Sequence, residues 1–196
     1  MAIERTFVML KPDAVQRGIS GEIIARLERA GLKIVALKMV WPTPGLVQQF
    51  YPSDEVWLRN LGQKSIANFK QFGLDLQKIM GSTDDLEIGK RVKSWLVEFI
   101  SSGPVIATVL EGNHAVENAR RLVGNTIPIN ANPGTIRGDY SGDSTDHANA
   151  QGRVIRNIIH ASGDLKEAEQ ETVLWFKPEE ILKYERTGEA LLGFRK

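Results

Sequence analysis

The sequence contains no cysteine, which excludes disulfide scaffolds, thiolate nucleophiles and cysteine-built zinc sites, and suits a reducing compartment. It has no apolar run long enough to span a bilayer, and its start, Met1-Ala2-Ile3-Glu4-Arg5, enters a strand pattern with no apolar leader core. The expectation is a soluble cytoplasmic protein with no membrane partner. A dominant charge is lacking too. The 25 basic and 24 acidic residues leave a net charge of +1, so no footprint for nucleic acid is present and any anion site must be local. The common phosphate loop, Gly-x-x-x-x-Gly-Lys-Ser/Thr, does not occur, so a phosphate site would have to be built from side chains. His114, His147 and His160 lie in unrelated contexts with no i, i+4 pair, which argues against a histidine zinc centre. No protein-held metal is expected.

What is present is enough for a real core: 196 residues with 42% hydrophobic and 25% charged content point to one domain over 1–196. Thr6-Phe7-Val8-Met9-Leu10 reads as an interior strand that stops at Lys11-Pro12-Asp13. Ser20 is expected to cap a helix through Ile23, Ile24 and Leu27, closed by Gly31. Leu32 to Val40 is a second strand, and Thr43-Pro44 opens a short helix. The stretch 53–91 reads as mostly helical. Asp84 or Asp85 starts a further helix through Val92, Leu96 and Phe99 to Ser101-Ser102-Gly103-Pro104. Val105 to Leu110 is a third strand, and Asn113 is expected to cap a helix ending at Gly124. From Asn125 to Gln151 a run rich in Pro, Gly, Asn and Asp reads as a long loop, the kind that is often functional.

Arg156-Asn157-Ile158-Ile159-His160-Ala161-Ser162 is then a short strand carrying one histidine towards the start of a helix over Leu165–Phe176. Leu165, Ala168, Thr172 and Phe176 form that helix's expected apolar stripe. A helix start favours anions, through its free N–H groups and dipole. The resulting order, strand, helix, strand, strand, helix, strand, is ferredoxin-like. The fold class is therefore α/β of the α+β kind, βαββαβ with a four-stranded antiparallel sheet and extra inserted helices. Lys11, fixed by Pro12 at a strand end, Arg120 and Arg121 on a helix, and Arg137 in the loop are the cations available to bind phosphate.

Several motifs, in this order, resemble the nucleoside diphosphate kinase family. They are Glu4-Arg5-Thr6, Lys11-Pro12-Asp13-Ala14-Val15-Gln16-Arg17-Gly18, Ser102-Gly103-Pro104-Val105, Pro133-Gly134-Thr135-Ile136-Arg137-Gly138-Asp139 and the His160 stretch. The resemblance runs from Glu4 to about Tyr184. It implies transfer of the γ-phosphoryl group of a nucleoside triphosphate to a nucleoside diphosphate, by a ping-pong mechanism through phosphohistidine at His160. Magnesium would be the cofactor, carried on the nucleotide phosphates, and the assembly a homo-oligomer, a hexamer or another form. By the same matching, Lys11, Tyr51, Arg120, Thr126, Arg137, Val154 and Asn157 correspond to nucleotide contacts. Ser162 belongs with the catalytic group, and Glu171 matches the carboxylate that orients the histidine. On the helix wheel Glu171 sits at the shoulder of the apolar stripe, whereas Glu167 points further towards solvent.

The chain also departs from the family pattern. Extra helical turns are expected between Tyr51 and Val92, so a helical insertion is placed at about 53–91, and the loop between Tyr140 and Ile155 is lengthened. The family's base-stacking phenylalanine falls on Val92 and its aliphatic companion on Leu96. With Phe99 these residues share a helix face that offers an aliphatic wall without a hydrogen-bond reader, and Trp57 or Phe72 are the aromatics available to cover it. Gly163 replaces the usual aspartate and removes an acceptor near the helix start. The reading from another class is a non-catalytic ferredoxin-like module binding nucleotide or single-stranded nucleic acid. It lacks both a basic patch and an aromatic ribonucleoprotein motif, so no specific nucleic-acid partner is expected.

Overall fold

Phe7, Val8, Met9 and Leu10 are fully buried, which is why this run carries no polar residue: strand β1 (Ile3–Leu10) has cover on both faces. The computed structural model describes residues 3–188, so Met1, Ala2 and 189–196 of the expected domain lie outside the described residues. Pro12 begins a short helix, α1 (Pro12–Gln16), that the sequence reading missed. Helix α2 (Ser20–Arg29) buries Ile23 and Leu27, but Ile19 occupies its N-cap and Ser20 is already helical, correcting the expected cap. Strand β2 (Lys33–Val40) leads to α3 (Pro44–Phe50), whose cap Thr43 accepts from Leu46 N.

Three further helices follow, α4 (Glu55–Gln71), α5 (Leu76–Met80) and α6 (Asp85–Ser101), capped by Asp54, Asp75 and Asp84. Helices α4 and α6 meet backbone to backbone. A Cβ on Gly62 would overlap the Asp85 carbonyl and one on Gly89 the Leu58 carbonyl, so only glycine permits this crossing. Strand β3 (Val105–Asn113) runs further than expected, and Asn113 pairs with Ile3 instead of capping the next helix. His114, at φ +46, takes the N-cap of α7 (Ala115–Val123).

The stretch from Asn125 to Gln151 is not a structureless loop. It folds a 3-10 turn at Pro128–Asn130 and the helices α8 (Ile136–Tyr140) and α9 (Thr145–Ala150), with Thr135 and Ser144 as side-chain caps. Helices this short show barely one turn of pattern, so periodicity does not reveal them. Strand β4 (Ile159–Ala161) is shorter than its motif, and α10 (Leu165–Trp175) is capped by Asp164. The buried side of α10 is Ala168, Glu171 and Trp175, with Leu165 in solvent. The expected stripe is thus rotated, because this helix must bury a carboxylate as well as an apolar face.

The sheet order is β2-β3-β1-β4, antiparallel throughout, giving the ferredoxin-like α+β architecture with β1 and β3 at the centre. Alternate β1 residues feed opposite cores. Phe7 and Met9 pack with Phe50, Val97 and Trp175, while Val8 and Leu10 pack with Ile23, Leu27 and Ala119. Each such side chain contributes about 1.5–3 kcal/mol on burial. A satellite core of Phe69, Met80 and Ile88 lies under α4, α5 and α6. The C-terminal tail lies on β2, with Leu182 N bonding Val35 O at 2.8 Å and Tyr184 Oη bonding Ile34 O at 2.7 Å. Among the described residues, no helix is long and apolar enough to cross a membrane.

Candidate active site

The turn that delivers His160 is strained. Ile158 sits at φ +59, and Ile159 N bonds back to Asn157 O at 2.7 Å across it. A β-branched residue there costs about 1–3 kcal/mol and persists only where its surroundings over-determine it. Here Lys11 N donates to Ile158 O at 2.8 Å, and Ile158 N donates to Asp13 Oδ2 at 3.0 Å. Burial raises the Asp13 pKa, partly countered by the Lys11 charge and by the backbone donors. Pairing of Met9 with His160 then fixes the histidine beside the central strand.

Behind the imidazole stands a buried carboxylate. Glu171 Oε1 lies 2.7 Å from His160 Nε2, and Ser162 Oγ donates to Glu171 Oε2 at 2.6 Å. The histidine contact meets the distance of a hydrogen bond without its alignment, since Nε2 is buried and makes no well-angled bond. Ser162 is in turn anchored by its amide to Phe7 O at 3.1 Å. Phe50 packs edge-on against the imidazole at 5.0 Å between ring centroids. With Nε2 turned to Glu171, Nδ1 is the ring nitrogen left for a reacting group. Of the three histidines, His114 instead lies 3.6 Å from Glu4 and His147 sits by Gln151 on α9.

In front of His160 opens a cavity of about 470 Å³, with Lys11, Arg120 and Arg137 at its wall. Burial, and secondly the charge of Arg137, lower the Lys11 pKa to about 7, and Lys11 Nζ donates to Asn157 Oδ1 at 2.6 Å. Arg137 is lowered to about 10, again by burial first and then by Arg120, so it stays charged near neutrality. Its fork is a clasp on the turn before His160: Nε donates to Asn157 O at 3.2 Å, Nη1 to Gly124 O at 3.0 Å and Nη2 to Ile159 O at 2.6 Å. The Arg120 guanidinium makes no hydrogen bond or ion pair among the described residues, and Arg120 lines the cavity. These three basic groups, with Asp13 the carboxylate that acts on Lys11 and Arg137, are arranged to receive an anion.

The remaining matched residues converge on the same cavity. Tyr51, Val92, Leu96, Thr126, Val154 and Asn157 all line it. Asn157 Nδ2 donates to Thr126 O at 2.8 Å, tying two of these segments together. The Tyr51 phenol is pushed up by burial and by Glu171. Ser162 and Glu171 do not reach the cavity and support His160 from behind. Arg121 points away and bonds Asn118.

Three expectations about neighbours are corrected. Phe99 leaves the Val92 and Leu96 face, packing on the main core and on a separate recess of about 180 Å³. Neither Trp57 nor Phe72 lines the cavity; the aromatic that does is Trp95, which the spacing i+3 from Val92 already signalled. Glu167, read as pointing to solvent, is half-buried and lines the cavity, with His160, Glu167 and Glu171 ligand atoms all within 4.8 Å of one another. Burial, and then the Glu171 charge, raise the Glu167 pKa. Gly163 makes this possible: its N–H donates to Glu167 Oε2 at 2.8 Å, and a Cβ there would stand 2.5 Å from that oxygen. The acceptor missing at position 163 is thus supplied from one helical turn away.

The family model for nucleoside diphosphate kinase matches residues 4–57 and 59–181. The chain belongs to the nucleoside diphosphate kinase family. A nucleoside diphosphate kinase of Pyrobaculum aerophilum is 52% identical over 93% of this chain and 100% of its own length. The crystal structure of an NDP kinase from that organism superposes with a TM-score of 0.90, at 50% identity, covering 93% of this chain and all of that one. A nucleoside diphosphate kinase of Borrelia burgdorferi, solved as a transition state mimic with vanadate and ADP, gives a TM-score of 0.79 at 35% identity, covering 96% of each chain. A halophilic nucleoside diphosphate kinase of Halobacterium salinarum in complex with CDP gives 0.70 at 34% identity, covering 97% of this chain and 99% of that one.

Proposed function

We propose that this chain catalyses nucleoside diphosphate kinase chemistry with His160 Nδ1 as the nucleophile. The observation that carries the assignment is a buried carboxylate on Nε2 with an open cationic cavity in front of the same ring. The Nδ1 lone pair attacks the γ-phosphorus, the bond from phosphorus to the bridging oxygen breaks, and its electrons leave on the diphosphate. Glu171, steadied by Ser162, holds the Nε2 proton and stabilises the charge that the ring acquires. A second diphosphate then reverses the step by attacking phosphohistidine with its terminal oxygen. Phosphoryl transfer is largely dissociative, so it needs positioning and cations more than a strong base. Lys11 and Arg120 supply charge to the phosphates, and Arg137 supplies it while holding the turn.

Magnesium is read as part of the substrate. The phosphate end of the cavity presents Lys11, Arg120 and Arg137, with Glu167 the one carboxylate among the described lining residues, and this donor set fits a metal carried on nucleotide phosphates. When bound, magnesium neutralises phosphate charge. The Borrelia burgdorferi and Halobacterium salinarum relatives, with ADP and CDP, support nucleoside di- and triphosphates as substrates. We also read 1–196 as one domain with a helical insertion at about 53–91, which the satellite core beneath those helices supports. Exposed Leu37, Met39 and Trp41 along and just beyond β2 support a homo-oligomer. The absence of cysteine supports a cytoplasmic setting.

The test is incubation with labelled ATP and magnesium, followed by GDP. The expected result is an acid-labile phosphoprotein that GDP discharges and that His160→Ala does not form. A His160→Ala protein that still forms it and turns over would refute the assignment.

A further inference from the structure

The cavity has a polar wall that phosphoryl transfer does not use. Helix α4 contributes Lys64 and Asn68 to it, and α9 contributes Thr145 and Asn149. Thr145 and Asn149 are four residues apart on a helix and so share a face. On that face Thr145 Oγ1 and Asn149 Nδ2 are both buried without a hydrogen-bond partner among the described residues, and Asn149 as a whole is 8% exposed. Buried polar atoms are seldom left unpaired, and two together at a cavity wall are placed to be completed by a ligand or by water that a ligand displaces. The apolar part of the same cavity, Val92, Trp95 and Leu96, is suited to the flat face of a ring.

We infer that Asn149, with Thr145 and Lys64, reads the nucleobase by hydrogen bonds, and that the reader favours bases with a carbonyl at purine position 6 or pyrimidine position 4 over those with an amino group there. This rests on the proposed kinase function and deepens it. The unpaired atom on Asn149 is an amide donor, and Lys64 is a donor with no acceptor capacity. Guanine offers O6 and N7 to such a pair, and uracil offers O4. Adenine keeps N7 but carries an amino group in place of O6, and cytosine carries one in place of O4, so one donor of the pair then meets another donor. Both reading segments lie in stretches where the sequence departs from the family pattern, α4 in 53–91 and α9 in the lengthened loop.

The experiment uses the full chain, phosphorylated on excess ATP and freed of nucleotide, then discharged by GDP, UDP, ADP or CDP in single turnover. GDP and UDP should discharge the wild type about tenfold more efficiently than ADP and CDP respectively, as expected for one buried hydrogen bond made or lost. Asn149→Ala should collapse both ratios towards one, and Asn149→Asp, which presents acceptors only, should move them towards ADP and CDP. Wild-type ratios within twofold of one would overturn the inference even if a variant failed to fold. So would ratios left unchanged in both variants. A protein that never becomes phosphorylated contradicts the kinase reading itself, whereas one that is phosphorylated and discharged equally by all four diphosphates contradicts only the base reader.

Discussion

Replacing Lys11 with Met should stabilise the nucleotide-free protein while abolishing its chemistry, and the size of that gain should depend on pH. Lys11 titrates near 7 in the folded state against the ordinary 10.5, chiefly because it is buried and secondly because Arg137 lies close by. Between these values the unfolded chain holds a proton that the folded chain does not, so stability rises with pH across the window. Below 7 the folded state bears the whole penalty of a buried charged amine. At about 1.36 kcal/mol per unit, the penalty is bounded at roughly 5 kcal/mol. Losing the 2.6 Å bond from Nζ to Asn157 Oδ1 offsets about 1–3 kcal/mol of the gain. Lys11→Met should therefore be about 2–4 kcal/mol more stable than wild type at pH 6, and within about 1 kcal/mol of it or less stable at pH 9.5. For a chain of this length that change of about 3 kcal/mol corresponds to roughly 6–12 °C in Tm. Thermal melts of both proteins at the two pH values, without nucleotide, measure it. A difference in Tm that is the same at both would refute the reasoning about Lys11.

Gly62→Ala or Gly89→Ala should destabilise by about 3 kcal/mol or more, because each Cβ would collide with backbone across the α4–α6 crossing rather than with a side chain that can move; denaturant titration checks this, and a loss under about 1 kcal/mol would contradict the close contact. The two arginines should separate. Arg137→Lys loses a fork that holds three carbonyls and should cost about 2–4 kcal/mol of stability as well as turnover. Arg120→Lys should leave stability within about 0.5 kcal/mol and lower kcat at least about tenfold, since its guanidinium has phosphate to bind and little structure to hold.

The central strands were legible because an interior strand cannot hide its apolar run, and Phe7 to Leu10 shows one. The proposed nucleophile and the residues around it share one cavity, as the motifs led one to expect: Lys11, Arg120, Arg137 and Asn157 come from separate segments, and the fold brings them together with His160. What escaped was decided by tertiary context. Asn113 looked like a cap but remains in β3, because its pairing with Ile3 outweighs a local preference. Glu167 was placed in solvent by a wheel drawn through Leu165, whereas α10 rotates to bury Ala168, Glu171 and Trp175 and so brings Glu167 over Gly163. Asn149 and Thr145 carry no sequence signal for recognition, since their meaning lies in being unpaired at a cavity wall formed by segments far apart in the chain. Trp95 stands at i+3 from Val92, a spacing that puts both on one helix face and so on the cavity wall, whereas Trp57 and Phe72 lie off it.

The most direct measurement of the central claim is the position of the phosphoryl group on the imidazole, read by phosphorus and nitrogen magnetic resonance of the ¹⁵N-histidine-labelled phosphoprotein under alkaline denaturing conditions. With Nε2 turned 2.7 Å from Glu171 Oε1, the phosphorus should couple to Nδ1 of His160. A phosphoryl group on Nε2, or on any residue other than His160, would contradict the account.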